Sequence, residues 1–143
     1  MKIQTNETIC AVSSAPGTGA IGIVRISGRD TLKLLHEVFV PLKDRCFISK
    51  MMVYGRILKS GTEIDRGMAV YYEAPNTYTG EDMAEIFCHG SVFIQQEIVR
   101  ALLDAGASLA GPGAFTMKAF VNGKMDLIQA EGVNDLIHAH SEA

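Results

Sequence analysis

Residues 75–90, PNTYTGEDMAEIFCHG, place one carboxylate, Glu85, inside an otherwise apolar strand. The segment opens on the turn formers Pro75, Asn76 and Gly80, runs extended from Met83 to Cys88, and stops at Gly90 ahead of a helical pattern. Side chains alternate along a strand, so Met83, Glu85 and Phe87 share one face and Ala84, Ile86 and Cys88 the other. Both faces are mainly apolar. A lone ionised carboxylate is costly to bury there, so Glu85 needs a cationic or multi-donor partner, from the protein or from a ligand. A structural ion pair, or an edge position facing water, explains the same pattern without a ligand, because structural pairs perturb carboxylates as readily as active sites do.

Upstream of this segment, Thr8 to Ser13 has the pattern of a short strand, Pro16 to Gly19 that of a Gly-rich loop, and Ile21 to Ser27 that of a second strand ended by Gly28. Asp30 or Thr31 can cap a helix on which Leu32, Leu35, Val38 and Phe39 recur at helical spacing, with Pro41 closing it. Phe47 to Leu58 predicts a long strand, Ser60 and Gly61 a turn, and Glu63 to Glu73 the return of a hairpin. Downstream, Val92 to Leu103 is amphipathic with Gly106 as a C-terminal stop, and a brief strand follows near Ser108 and Leu109. Phe115 to Val121 predicts a short helix stopped at Asn122 and Gly123. Asp126 and Gln129 then resemble a capping box for a helix carrying Leu127, Ala130, Val133 or Asn134, and Ile137 on one face. With no stop signal before Ala143, the expectation is that the natural protein continues beyond it. Strands and helices mix without strict alternation, which predicts an α+β domain with a mixed sheet and packed helices.

A chain of 143 residues with 48% hydrophobic content suits one domain with a real core. No window approaches the ~18 uninterrupted apolar residues of a membrane span. Met1 to Cys10 lacks the charged-then-apolar order of a secretion signal. The three cysteines, Cys10, Cys46 and Cys88, are odd in number and widely spaced, which fits a reducing, cytoplasmic setting. A net charge of -3 gives no global basic bias, so any RNA role must lean on another domain or a partner.

Gly17, Gly19 and Gly22 satisfy GxGxxG, yet the chain continues from Ile21 as a strand rather than into a helix, which excludes the dinucleotide-binding arrangement. No GxxxxGK[ST] is present for P-loop nucleotide binding. Arg25 shares a strand face with Ile21, Ile23 and Ser27, so its guanidinium must leave that surface or meet an anion, either an ion-pair partner or a ligand carboxylate. Lys124, between Gly123 and the capped helix, has nothing local to distinguish it from an exposed lysine. Cys88 and His89 are adjacent in a strand, point to opposite faces and cannot form a nucleophilic dyad. His36, His138 and His140 are scattered, and no CxxC or HExxH occurs, so no metal site is expected.

Taken jointly and in order, APGTGAIGIVRISG (15–28), PNTYTGEDMAEIFCHG (75–90) and GPGAFTMKAFVNGKMDLIQAEGVNDLI (111–137) resemble the N-terminal region of the bacterial tRNA modification GTPases of the MnmE (TrmE) family. The resemblance implies a tetrahydrofolate-binding and homodimerising domain over residues 1–121, similar to the folate domain of glycine-cleavage aminomethyltransferases. It implies that residues 122–143 begin a helical domain, with the GTP-binding domain absent from this chain. Carried over by motif position, Arg25, Glu85 and Lys124 would be the folate contacts, and no catalytic residue is expected in the chain. The ligand would be a 5-formyl or 5,10-methylene tetrahydrofolate, while GTP, Mg and K ions would belong to the absent domain. The family further implies that, with the FAD-dependent partner MnmG (GidA), the whole protein adds an aminomethyl-type group to C5 of the wobble uridine of tRNA. Thr18, Ser91, Ala114, Met117 and Lys118 depart from the family's usual residues and bear on the loop contacts and the partner surface. A freestanding folate-dependent aminomethyl or formyl transferase, and a purely structural dimerisation domain in which Glu85 pairs with Arg25, are the alternatives.

Overall fold

Alternating apolar residues make two-faced strands, and pairing those strands in register separates a helix-covered face from an uncovered one. In the structure, a computed structural model that describes residues 6–133, the chain runs β1 (Ile9–Val12), β2 (Ile21–Ser27), α1 (Thr31–Val38), β3 (Phe39–Pro41), β4 (Met52–Lys59), β5 (Thr62–Tyr72), β6 (Met83–His89), α2 (Val92–Asp104), β7 (Ser108–Leu109) and α3 (Ala114–Val121). A further helical stretch covers 127–133. The strands form one seven-stranded sheet in the order β3-β4-β5-β6-β2-β1-β7. Only the β1–β7 pair is parallel, so the expected α+β domain with a mixed sheet is what the chain forms.

Helices α1 and α2 cover one face. There Val24, Ile26, Ala84, Ile86, Val53, Ile57 and Ala69 pack against Leu34, Leu35, Val38, Ile98 and Leu102. At about 25 cal/mol per Å² of apolar area removed from water, this continuous cluster is the main stabilising term of the domain. The opposite face carries two cross-strand rows. Met52, Val70, Glu85, Arg25 and Ala11 lie opposite one another across five strands, and Tyr54, Met68, Phe87 and Ile23 across four. Much of this face stays open, with Met52, Tyr54 and Ile21 exposed.

Several local expectations hold. Ser60 and Gly61 both have positive φ, at 51° and 77°, the pairing that a two-residue hairpin turn matched to strand twist requires. Asp126 and Gln129 form the predicted reciprocal cap: Asp126 N–H donates to Gln129 Oε1 at 2.9 Å, and Gln129 N–H donates to Asp126 Oδ1 at 2.7 Å. Asn134, Ile137, His138 and His140 lie outside the described residues.

Other expectations are corrected. The first helix ends at Val38 rather than at Pro41, and Phe39–Pro41 becomes edge strand β3 against β4. Its cause is room for the Phe39 ring, which lies where a side chain on Gly55 would come within 2.6 Å of it. Pro41 is tolerated because an edge strand can spare an N–H. The strand predicted from Phe47 starts only at Met52. Phe47 instead turns its ring onto Phe39 and His36, and Lys50 at φ 69° breaks the extended run. Asp30 occupies the N-cap position of α1 without a side-chain cap bond. Thr31 anchors the turn instead, its hydroxyl donating to the carbonyls of Gly28 at 2.7 Å and Asp82 at 3.1 Å.

Burial pushes the thiols of Cys10 and Cys88 up to about 11, whereas Cys46 is exposed. A thiolate is the reactive form, so iodoacetamide at pH 8 is expected to modify one thiol per folded chain, at Cys46 by peptide mapping, and three after denaturation. Asp65 gives a second expectation. Burial raises its pKa, but hydrogen bonds from the His89 and Arg66 amides and the His89 ring outweigh that and hold the carboxyl below its usual value. A depressed carboxylate stabilises the fold above its unfolded pKa of about 3.9 and loses that contribution as pH falls through the lower folded value. Asp65→Asn should therefore flatten the acid limb of a thermal-stability profile below about pH 4; an acid limb of unchanged slope would contradict it.

Candidate functional site

The pairing of β2 with β6 sets Arg25 directly opposite Glu85 on the open face of the sheet. Arg25 Nη2 donates to Glu85 Oε2 at 3.2 Å, with the two side chains 30% and 17% exposed. Tyr72, at the end of β5, donates its hydroxyl to Glu85 Oε1 at 3.0 Å. Burial raises the Tyr72 pKa, and the hydrogen bond and charge of Glu85 raise it further, so the phenol keeps the proton it donates. The partner that Glu85 required thus comes from two neighbouring strands. Each of its oxygens is engaged once, and a carboxylate has about four acceptor positions in all.

The Arg25 guanidinium also lies 5.5 Å from the Phe115 ring centroid and 5.8 Å from that of Tyr78, within cation–π range. Arg25 Nε is buried and has no hydrogen-bond partner among the described residues. Tyr78 belongs to the turn segment 75–82, and Phe115 to α3.

That turn segment is joined to α3 and the residues after it by a series of contacts. The Tyr78 and Thr116 hydroxyls are 2.9 Å apart. Asn122 Nδ2 donates to the Thr79 carbonyl at 2.8 Å. Lys118, its side chain only 5% exposed, donates from Nζ to Glu81 Oε2 and to the Glu7 carbonyl, both at 2.8 Å. Lys118 thus places a buried cation against the segment. Gly80, at φ 82°, leaves space into which the Lys124 stem packs; a Cβ there would come within 3.4 Å of Lys124 Cε.

These elements enclose a cavity of about 410 Å³ lined by Arg25, Glu85 and Lys124 together with Lys50, Tyr72, Asn76, Thr77, Tyr78 and Met83. The three residues singled out from the sequence meet at one place, although 60 positions separate Arg25 from Glu85. Asn76, Thr77, Tyr78 and Met83 stand in the opening segment and could have been named from it. Tyr72 and Lys50 could not, because nothing local marks either. The wall supplies an acceptor, several cations and aromatic faces. Its Thr77 hydroxyl is already committed, donating to the Glu81 carbonyl and accepting from the Gly80 amide. Such a lining can hold a small polar ligand that has a planar ring and carries negative charge.

The other candidates sit apart. Cys88 is buried and His89 exposed, on opposite faces as the strand period demands. His89 pairs with Asp65, Nδ1 to Oδ1 at 2.8 Å. No group of histidine, cysteine and carboxylate side chains suited to a metal ion occurs among the described residues. Gly22 lies inside β2, so the GxGxxG spacing does not lead into a helix.

Comparison with known proteins agrees with this architecture. Residues 8–124 match the family described as GTP-binding protein TrmE N-terminus. The tRNA modification GTPase MnmE of Desulfotalea psychrophila is 46% identical over 136 residues, covering 94% of this chain and 29% of that protein. Its counterpart in Parabacteroides distasonis is 47% identical over 139 residues, 94% of this chain and 30% of that protein. That of Thermotoga maritima is 43% identical over 137 residues, 95% and 30% respectively. The chain thus spans about 30% of the length of these relatives, and within that span it belongs to the TrmE N-terminal family.

Proposed function

We propose that this chain is the folate-binding and dimerising part of a tRNA modification GTPase, with a reduced folate seated in the cavity between the open sheet face and the 75–82 segment. The observation that carries this is the convergence of Arg25, Glu85 and Lys124 on one cavity of about 410 Å³, a size typical of small-molecule sites. A pterin presents adjacent N–H donors on its 2-amino-4-oxo edge. Glu85, held by Arg25 on one oxygen and by Tyr72 on the other, keeps acceptor positions for both. The buried, unmet Arg25 Nε–H is a further donor at the same wall. Arg25, Glu85 and Lys124 are assigned as the folate contacts, with a 5-formyl or 5,10-methylene tetrahydrofolate as ligand and a fold similar to the folate domain of glycine-cleavage aminomethyltransferases.

In a protein of the relatives' length, the domain would hold the one-carbon donor while GTP, Mg and K ions act elsewhere. With the FAD-dependent partner MnmG, the assembly would modify C5 of the wobble uridine of a tRNA in the cytoplasm. The open sheet face, with Ile21, Met52 and Tyr54 exposed, is suited to a second copy of the chain.

The Arg25–Glu85 pair also favours a second reading, a structural dimerisation domain in which the pair needs no ligand. Titration calorimetry with 5-formyltetrahydrofolate separates the two. The wild-type chain is expected to bind, and Glu85→Ala to lose about 10- to 100-fold in affinity, the range for losing hydrogen bonds to a charged acceptor. Light scattering should return twice the chain mass for both proteins. No binding heat from the wild type, or full affinity in Glu85→Ala, would leave the structural reading standing.

A further inference from the structure

Lys50, like Tyr72, is a cavity residue that neither its sequence context nor the family motifs single out, and its backbone is unusual. It stands at φ 69°, a left-handed conformation seldom adopted by a residue with a long side chain. The turn is pinned: Lys50 N–H donates to the Tyr71 carbonyl at 2.7 Å, Met51 N–H to Ile48 at 3.0 Å, and Glu73 N–H to Ser49 Oγ at 2.9 Å. These bonds tether Lys50 beside Tyr72, whose hydroxyl holds Glu85. A lysine held where glycine fits more easily, at the rim of a cavity, points to a side chain that serves the cavity.

The charge balance of the cavity indicates what it serves. Arg25 and Glu85 neutralise one another. Lys50 and Lys124 line the same cavity with no further carboxylate among its lining residues, and neither makes an ion pair among the described residues. Both side chains reach solvent. The floor is therefore neutral, hydrogen-bonding and aromatic, whereas the rim carries two positive charges from separate elements. Arg25 is already committed to Glu85 and to the two rings, which leaves the lysines as the cations free to meet an anion.

We propose that Lys50 is a fourth ligand-binding residue that, together with Lys124, holds the two carboxylates of the ligand's glutamate tail, so that the site selects for a dianionic tail as well as for the bicyclic ring. This rests on the folate reading above and adds to it a division of labour within the cavity.

The test compares 5-formyltetrahydrofolate with its tail dimethyl ester, which keeps ring and length but carries no tail charge, against the wild-type chain, Lys50→Gln and Lys50→Arg. Lys50→Gln is expected to weaken the free acid about fivefold at low salt, the scale of an exposed ion pair. It should leave the ester unaffected and reduce the salt dependence of binding, while Lys50→Arg restores both. Equal losses for acid and ester, or no loss for the acid together with wild-type salt dependence, would overturn the role of Lys50 and leave the folate reading intact. Failure of the wild type to bind either ligand would instead remove the folate reading, and this inference with it.

Discussion

A charged pair set across two central strands, Arg25 on β2 and Glu85 on β6, is the constraint around which the domain is organised. Either residue without the other would leave a poorly compensated charge on a half-buried sheet face, which is more costly than the pair is favourable. The pair also acts on register. Because side chains alternate, a one-residue slip of β6 would turn Glu85 into the core against α1 and α2 and bring Ala84 or Ile86 out to the open face. Electrostatics and hydrophobic burial therefore select the same alignment.

The same alignment builds the cavity. Tyr72 reaches Glu85 because β5 pairs with β6, and Phe115 and Tyr78 reach Arg25 because α3 and the 75–82 segment close over that part of the face. This closure rests on polar contacts: Tyr78 with Thr116, Thr79 with Asn122, and Glu81 with the buried Lys118. Because Lys118 is almost fully buried, that ion pair is screened far less than a surface one and ties the segment firmly to α3. The hydrophobic core lies on the other side of the sheet. The core and the polar cavity thus occupy opposite faces of the sheet, so the cavity's charges do not breach the core.

Among the described residues no group suited to a metal ion occurs, and the cavity wall brings together one carboxylate, three cations and two tyrosines. The chain matches about 30% of the length of each relative.

By itself the sequence determined the element types and most of their ends, because those depend on local physics: the alternation in 83–88, the left-handed stops at Gly106 and Gly123, the Ser60–Gly61 turn, and the Asp126–Gln129 box. It also marked Glu85 as a carboxylate in need of a partner and, through ordered motifs, grouped it with Arg25 and Lys124. Where the chain departs from those expectations, a distant contact decided. Phe39 leaves its helix for an edge strand because Gly55, sixteen residues on, opens a seat for its ring. Phe47 turns inward to His36 and Phe39 instead of extending. Tertiary structure alone decided that Glu85 meets both Arg25 and Tyr72, and that Lys50 stands at the same rim as Lys124. Periodicity assigns a side chain to a face, but only the packed sheet, through the pairing of strands far apart in the chain, sets which side chains share a cavity.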